Sequence, residues 1–147
     1  MIAYHPTHFH IQELVDPSTW NLLGDKAWFL LDPRLLWTLD RLRERYDRAI
    51  TINTWRWTTR SPLTMRGFRP AGATVGAEHS QHRYGRAADF DVEGMEAEDI
   101  RQDILSHQTD DIFKYIACLE VDISWVHMDV RNWDRAKNGI LLVTPTT

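Results

Sequence analysis

The chain has almost no thiol to work with: Cys118 is the single cysteine among 147 residues. That excludes an intrachain disulfide and any cysteine-rich zinc finger. Its neighbours Ile116, Ala117 and Leu119 give it the setting of a buried strand thiol rather than a reactive one. Long apolar runs are also missing, so no stretch can span a bilayer, and Met1 to Pro6 has neither the basic region nor the apolar run of a signal peptide. The expectation is a protein made in the cytoplasm, with no membrane partner, that reaches any substrate outside the cell by some other export or lysis route. Positive charge is not in excess either. The net charge is −4 and the sequence pI about 5.9, so no whole-domain basic field exists to hold nucleic acid. Internal repeats and low-complexity segments are absent. The length fits one domain, residues 1–147, and we expect a monomer.

Aromatic residues are plentiful, with seven tryptophans and four tyrosines; most have to fill the core, and a minority is left to line a groove. After an N-terminal segment with short helical patches, Asp32-Pro33 opens the clearest helix. Asp32 suits the cap and Pro33 the first turn, and Leu35, Leu36, Leu39 and Leu42 recur at helical spacing toward Tyr46. Ile50 to Trp57 alternates as a strand does. Thr58 to Gln81 carries Pro62, Gly67, Pro70, Gly72 and Gly76 without a period and reads as a long loop, which in a compact domain implies a role such as walling a site. Ala87 to Val92 reads as a short strand that places Asp89 and Asp91 on one face. A helix is predicted between Met95 and His107, strands over Tyr115 to Val121 and Ser124 to Val130, and an Asn138-Gly139 turn into a last strand through Val143. Strands and helices do not strictly alternate, which predicts an α+β fold with a mainly antiparallel sheet and flanking helices.

Two short segments carry the chemistry. Ser80-Gln81-His82-Arg83-Tyr84-Gly85-Arg86-Ala87-Ala88-Asp89 brings His82 and Asp89 together across Gly85, which can turn the backbone. Trp125-Val126-His127-Met128-Asp129 supplies a second histidine. Catalytic zinc takes three nitrogen or oxygen ligands and keeps a fourth position open, so His82, Asp89 and His127 are a sufficient set. His5, His8, His10, His79 and His107 lie in no such pattern and read as ordinary surface or hydrogen-bonded histidines.

Ser80, His82, Gly85, Ala87 and Asp89 fill five positions within ten residues, and His127 and Asp129 follow in order downstream. In these motifs the chain resembles the zinc D-alanyl-D-alanine carboxypeptidase family, which includes L-alanyl-D-glutamate endopeptidases and shares its fold with hedgehog amino-terminal domains. The resemblance extends roughly from Leu31 to Trp133 and is strongest to small phage or prophage members. It implies Zn2+ as cofactor and a peptidoglycan stem peptide as substrate, with either a terminal D-Ala or an internal L-Ala to D-Glu bond cut.

Peptide hydrolysis also needs a base for the attacking water and an acid for the leaving amine, and one carboxylate can serve as both. In many carboxypeptidase relatives that carboxylate lies two or three residues before the last ligand, where this chain has Trp125 and Ser124. Glu120 and Asp122 are the candidates here. Simple alternation puts both on the face opposite His127, so a turn or bulge near Asp122 to Ser124 is needed. The similar phage members favour Glu120; Asp122 stays open. A guanidinium can bind a substrate carboxylate bidentately. Arg56 holds the family's place by strand order, while Arg69, in Gly67-Phe68-Arg69, resembles it in local sequence. Ser80 is expected to organise the turn into His82, Trp125 to floor a substrate groove, and Asp129 to fix a ligand imidazole.

A competing class is a zinc-binding module that keeps the metal and lacks the base, since a fold alone does not establish catalysis. The two differ in whether Glu120 or Asp122 comes within one water of the metal. Nucleic-acid binding by the arginine-bearing loop is disfavoured by the net charge.

Overall fold

In a computed structural model, residues 3–145 are described; Met1, Ile2, Thr146 and Thr147, which the one-domain expectation included, lie outside the described residues. The elements run α1 (Pro17–Leu23), α2 (Pro33–Tyr46), β1 (Ile50–Thr51), β2 (Ala87–Val92), α3 (Ala97–Ser106), β3 (Cys118–Glu120), β4 (Val126–Asp129), α4 (Arg135–Asn138) and β5 (Leu141–Val143), with short 3-10 turns between them. The five strands form one sheet in the order β1-β2-β4-β3-β5. Three pairings are antiparallel and the β3 to β5 pairing is parallel, so the α+β expectation holds with a mixed sheet.

Helix α2 forms where its signals lie. The Asp32 carboxylate accepts from the Arg34 backbone N–H, a cap worth about 1 kcal/mol, and Pro33 occupies the first turn. Leu35, Leu36, Leu39 and Leu42 are essentially inaccessible and share a core with Ala88, Phe90 and Val92 of β2, Leu119 of β3 and Val126 and Met128 of β4. Truncating one of these leucines to alanine costs about 2 to 5 kcal/mol. Helix α3 adds Ile100 and Ile104 to the same core.

Strand periodicity then sorts the sheet. The residues facing the helices alternate with Ala87 and Asp89 on β2, Cys118 and Glu120 on β3, and His127 and Asp129 on β4, which therefore share the other face. Registers set them in rows: Asp89 lies opposite His127, and Ala87 and Cys118 flank Asp129. Extending the β3 to β4 register by one residue puts Glu120 beside His127, completing the row Asp89, His127, Glu120.

Two glycines let other segments close on this face. Gly85 has φ 68°, and a Cβ there would sit 1.8 Å from the Leu30 carbonyl oxygen; at Gly67 it would sit 2.2 Å from that of Leu14. The long loop is pinned beside β2 by hydrogen bonds from Asp89 N–H to the Arg66 carbonyl at 2.8 Å and from Arg69 N–H to that of His82 at 3.1 Å.

Four sequence expectations were too long or of another kind. The strand expected over Ile50 to Trp57 ends at Thr51, because Asn53 N–H turns to the Glu13 carbonyl and Thr54 N–H to that of Leu63. The strands expected over Tyr115 to Val121 and Ser124 to Val130 keep only their pairing centres. Asn138-Gly139 does lead into the last strand, which ends at Val143 as expected, but as the end of α4, with Gly139 as its cap.

Candidate metal and catalytic site

His82 arrives on a 3-10 turn, Gln81–Tyr84, whose start is fixed by the Ser80 hydroxyl accepting from His82 N–H. Asp89 and His127 arrive on paired strands. His82 Nε2 lies 3.3 Å from Asp89 Oδ1, and His127 Nδ1 lies 2.8 Å from the same oxygen. All three donor atoms fall within 4.8 Å of one another, and all three residues are buried. Tetrahedral zinc with bonds of about 2.0 to 2.1 Å spaces its ligand atoms roughly 3.3 Å apart, so the trio fits such an ion.

Each of the three donors is oriented from behind. His82 Nδ1 lies 2.9 Å from the Gly67 carbonyl oxygen, which can only accept, so Nδ1 carries the proton and Nε2 is free to ligate. His127 does the reverse: Nε2 lies 3.0 Å from Asp129 Oδ2, leaving Nδ1 toward the trio. Asp89 Oδ2 takes Arg69 Nη2 at 3.3 Å. Burial opposes ionisation of Asp89, but hydrogen bonds from His127 and His82 outweigh it and hold the carboxyl well below the usual carboxylate range. Burial likewise works against a charged His127, yet Asp129 and Asp89 raise it to about 9 without a metal.

The trio opens into a cleft of about 470 Å³. Its walls come from Arg69 and the 75–81 part of the long loop on one side, and from Glu120, Trp125, Arg131 and Val143 to Pro145 on the other. Glu120 Oε1 stands 3.8 Å from His127 Nδ1, and its side chain is 24% exposed against 5% for the histidine. The backbone reverses between β3 and β4 at Asp122, whose φ is 61°, and this turn restores the parity that uniform alternation would deny Glu120.

The other candidates separate. Asp122 is exposed in that turn and does not line the cleft. Arg69 lines the cleft, whereas Arg56 is exposed on the turn after β1, away from it. Ser80 and Trp125 both line it, and the Trp125 indole nitrogen is buried with no hydrogen-bond partner among the described residues. His79, which reads as an ordinary histidine, also lines the cleft. Sequence reasoning missed Gly67 and Arg131. Only the tight packing of Gly67 on Leu14 reveals the first; Arg131 could have been suspected from its place two residues beyond Asp129.

A helix-backed sheet whose polar face offers a His-Asp-His trio beside a carboxylate defines a class, that of α+β proteins able to hold a catalytic metal. The chain belongs to the Peptidase M15 family, whose model matches residues 7–129. Peptidases of this family are zinc-dependent, and the matched span contains all three donors and Glu120. No curated protein and no solved structure matches the chain.

Proposed function

We propose that this protein is a zinc peptidase that cleaves peptidoglycan stem peptides, with His82, Asp89 and His127 as ligands and Glu120 as the acid/base. The observation that carries this reading is the Glu120 carboxylate, 3.8 Å from His127 Nδ1 on the open side of the trio. That is within one water of any ion held there, which a binding module without a base would not need. When bound, zinc acidifies a water and polarises a peptide carbonyl.

The remaining steps belong to the chain. Glu120 takes a proton from the attacking water and delivers it to the leaving amine nitrogen, so the carbonyl carbon gains the hydroxyl and the amine the hydrogen. Arg69, held in place by the Met65 carbonyl at 2.8 Å and by Asp89, offers its guanidinium edge to a substrate carboxylate or to the oxyanion. Ser80 holds the His82 turn. Trp125 lines the groove and gives it an aromatic wall for the peptide.

The role fits a wall-degrading enzyme of phage type, acting as a monomer once released or exported. Mass spectrometry of purified muropeptides incubated with the protein, with and without chelator, tests the reading. Chelator-sensitive release of D-Ala, or scission between L-Ala and D-Glu, supports it and names the bond. Intact muropeptides with zinc-loaded protein overturn it in favour of a binding module.

A further inference from the structure

Asp129 is fully buried on the strand that carries His127. Its Oδ2 lies 3.0 Å from His127 Nε2 and takes Arg131 Nη2 at 2.6 Å, while its Oδ1 takes Arg131 Nε at 2.8 Å and the Arg131 backbone N–H at 3.2 Å. The guanidinium therefore grips both carboxylate oxygens in the fork geometry that fixes orientation as well as charge. On the sheet face the cross-strand neighbours of Asp129 are Ala87 and Cys118, neither of which supplies a cation. Among the described residues, Arg131 is the only arginine or lysine paired with Asp129.

An imidazole presents one nitrogen to a metal according to what the other nitrogen donates to. Nδ1 of His127 points at Asp89 and Glu120, so Nε2 has to keep a proton and Asp129 has to accept it as an anion. A buried carboxylate without its cation is costly, and it relieves that cost by turning to another donor. That change removes the acceptor that holds the His127 ring.

We propose that Arg131 is a positioning residue for the metal centre: by gripping Asp129 it fixes His127 with Nε2 protonated and Nδ1 turned toward the ion. The inference rests on the reading of His82, Asp89 and His127 as ligands, and it does not depend on what the protein hydrolyses.

The test is zinc affinity of the full chain, measured by chelator competition for the parent, R131K, R131M, D129N and the R131M/D129N double variant. Imidazole N–H proton spectra of the zinc-loaded forms accompany it. R131M is expected to lose about 10- to 100-fold in affinity, and R131K a smaller part of that, because an ammonium keeps the charge and loses the fork. The double variant should bind no more weakly than D129N, since Arg131 acts only through Asp129, and the His127 Nε2–H signal should fade in R131M. If R131M does not fold, R131K carries the test. Parent-like affinity in the Arg131 variants, losses that multiply in the double variant, or an unchanged Nε2–H signal beside a merely lowered melting temperature would each overturn the proposal. A parent that binds no zinc would overturn the ligand reading with it, whereas a zinc-binding parent that cuts no peptide would leave this inference standing.

Discussion

Glu120 and His127 face each other from adjacent antiparallel strands, with the carboxylate oxygen 3.8 Å from the histidine nitrogen that points into the metal trio. This relationship separates two carboxylates only two residues apart in sequence. Glu120→Gln keeps the shape and removes the proton carrier, so it should retain zinc and lose about 10²- to 10⁴-fold in kcat. Asp122→Asn, in the exposed turn, should stay within a few-fold of the parent. Steady-state kinetics on a stem peptide, with metal content measured on the same samples, checks both; an active Glu120→Gln would move the base elsewhere.

The two arginines should part in the same way. Arg69→Lys loses the planar fork at the cleft and should cost roughly tenfold to a hundredfold in kcat/KM, about 1.5 to 3 kcal/mol, with zinc still bound. Arg56→Lys should match the parent. Comparing each variant on a stem peptide and on its C-terminal amide shows whether Arg69 reads a carboxylate; equal losses on both substrates would point to the oxyanion instead.

The raised His127 gives the zinc-free protein a defined pH response. Its ordinary value of 6.5 rises to about 9 in the fold, so protonated His127 stabilises the folded state. That contribution is fully present below pH 6.5 and is lost as pH climbs through about 9. Thermal melts of zinc-free protein should show this decline. Zinc has to displace the same proton, so its affinity should rise about tenfold per pH unit between roughly pH 7 and 9 through this group alone. A pH-independent zinc affinity over that interval would contradict the assignment of His127 as a ligand.

Two glycine sites should be intolerant for steric reasons. Gly85→Ala meets the Leu30 carbonyl at 1.8 Å with φ at 68°, and Gly67→Ala meets that of Leu14 at 2.2 Å. Each should cost more than about 2 kcal/mol in urea unfolding, beyond the ordinary range for a surface change. Gly72→Ala, which meets nothing within 4 Å, should be nearly neutral. Parent-like stability of Gly85→Ala would mean that the turn between His82 and Asp89 can relax.

How much of this was legible in the sequence depended on whether the signal was local. The α2 helix was readable because Asp32, Pro33 and the leucine spacing all lie in one segment. His82, Asp89 and His127 were readable because each sits in a dense motif. Strand ends were less so: the alternation through Trp57 continues past Thr51, and only the distant carbonyls of Glu13 and Leu63 show that the chain has left the sheet. The side on which Glu120 falls could not be decided from parity, because it depends on the left-handed turn at Asp122 and on the β3 to β4 register. The Gly67 carbonyl meets His82 through a contact that no sequence spacing encodes, and Arg131, two residues beyond Asp129, shows its grip on that carboxylate only in the fold.

The central claim, that His82, Asp89 and His127 form one zinc site, is tested most directly by metal analysis of purified parent and His82→Ala proteins after identical zinc loading and desalting. Close to one zinc per chain in the parent and almost none in folded His82→Ala is the result this account predicts. Equal zinc in the two proteins would contradict it.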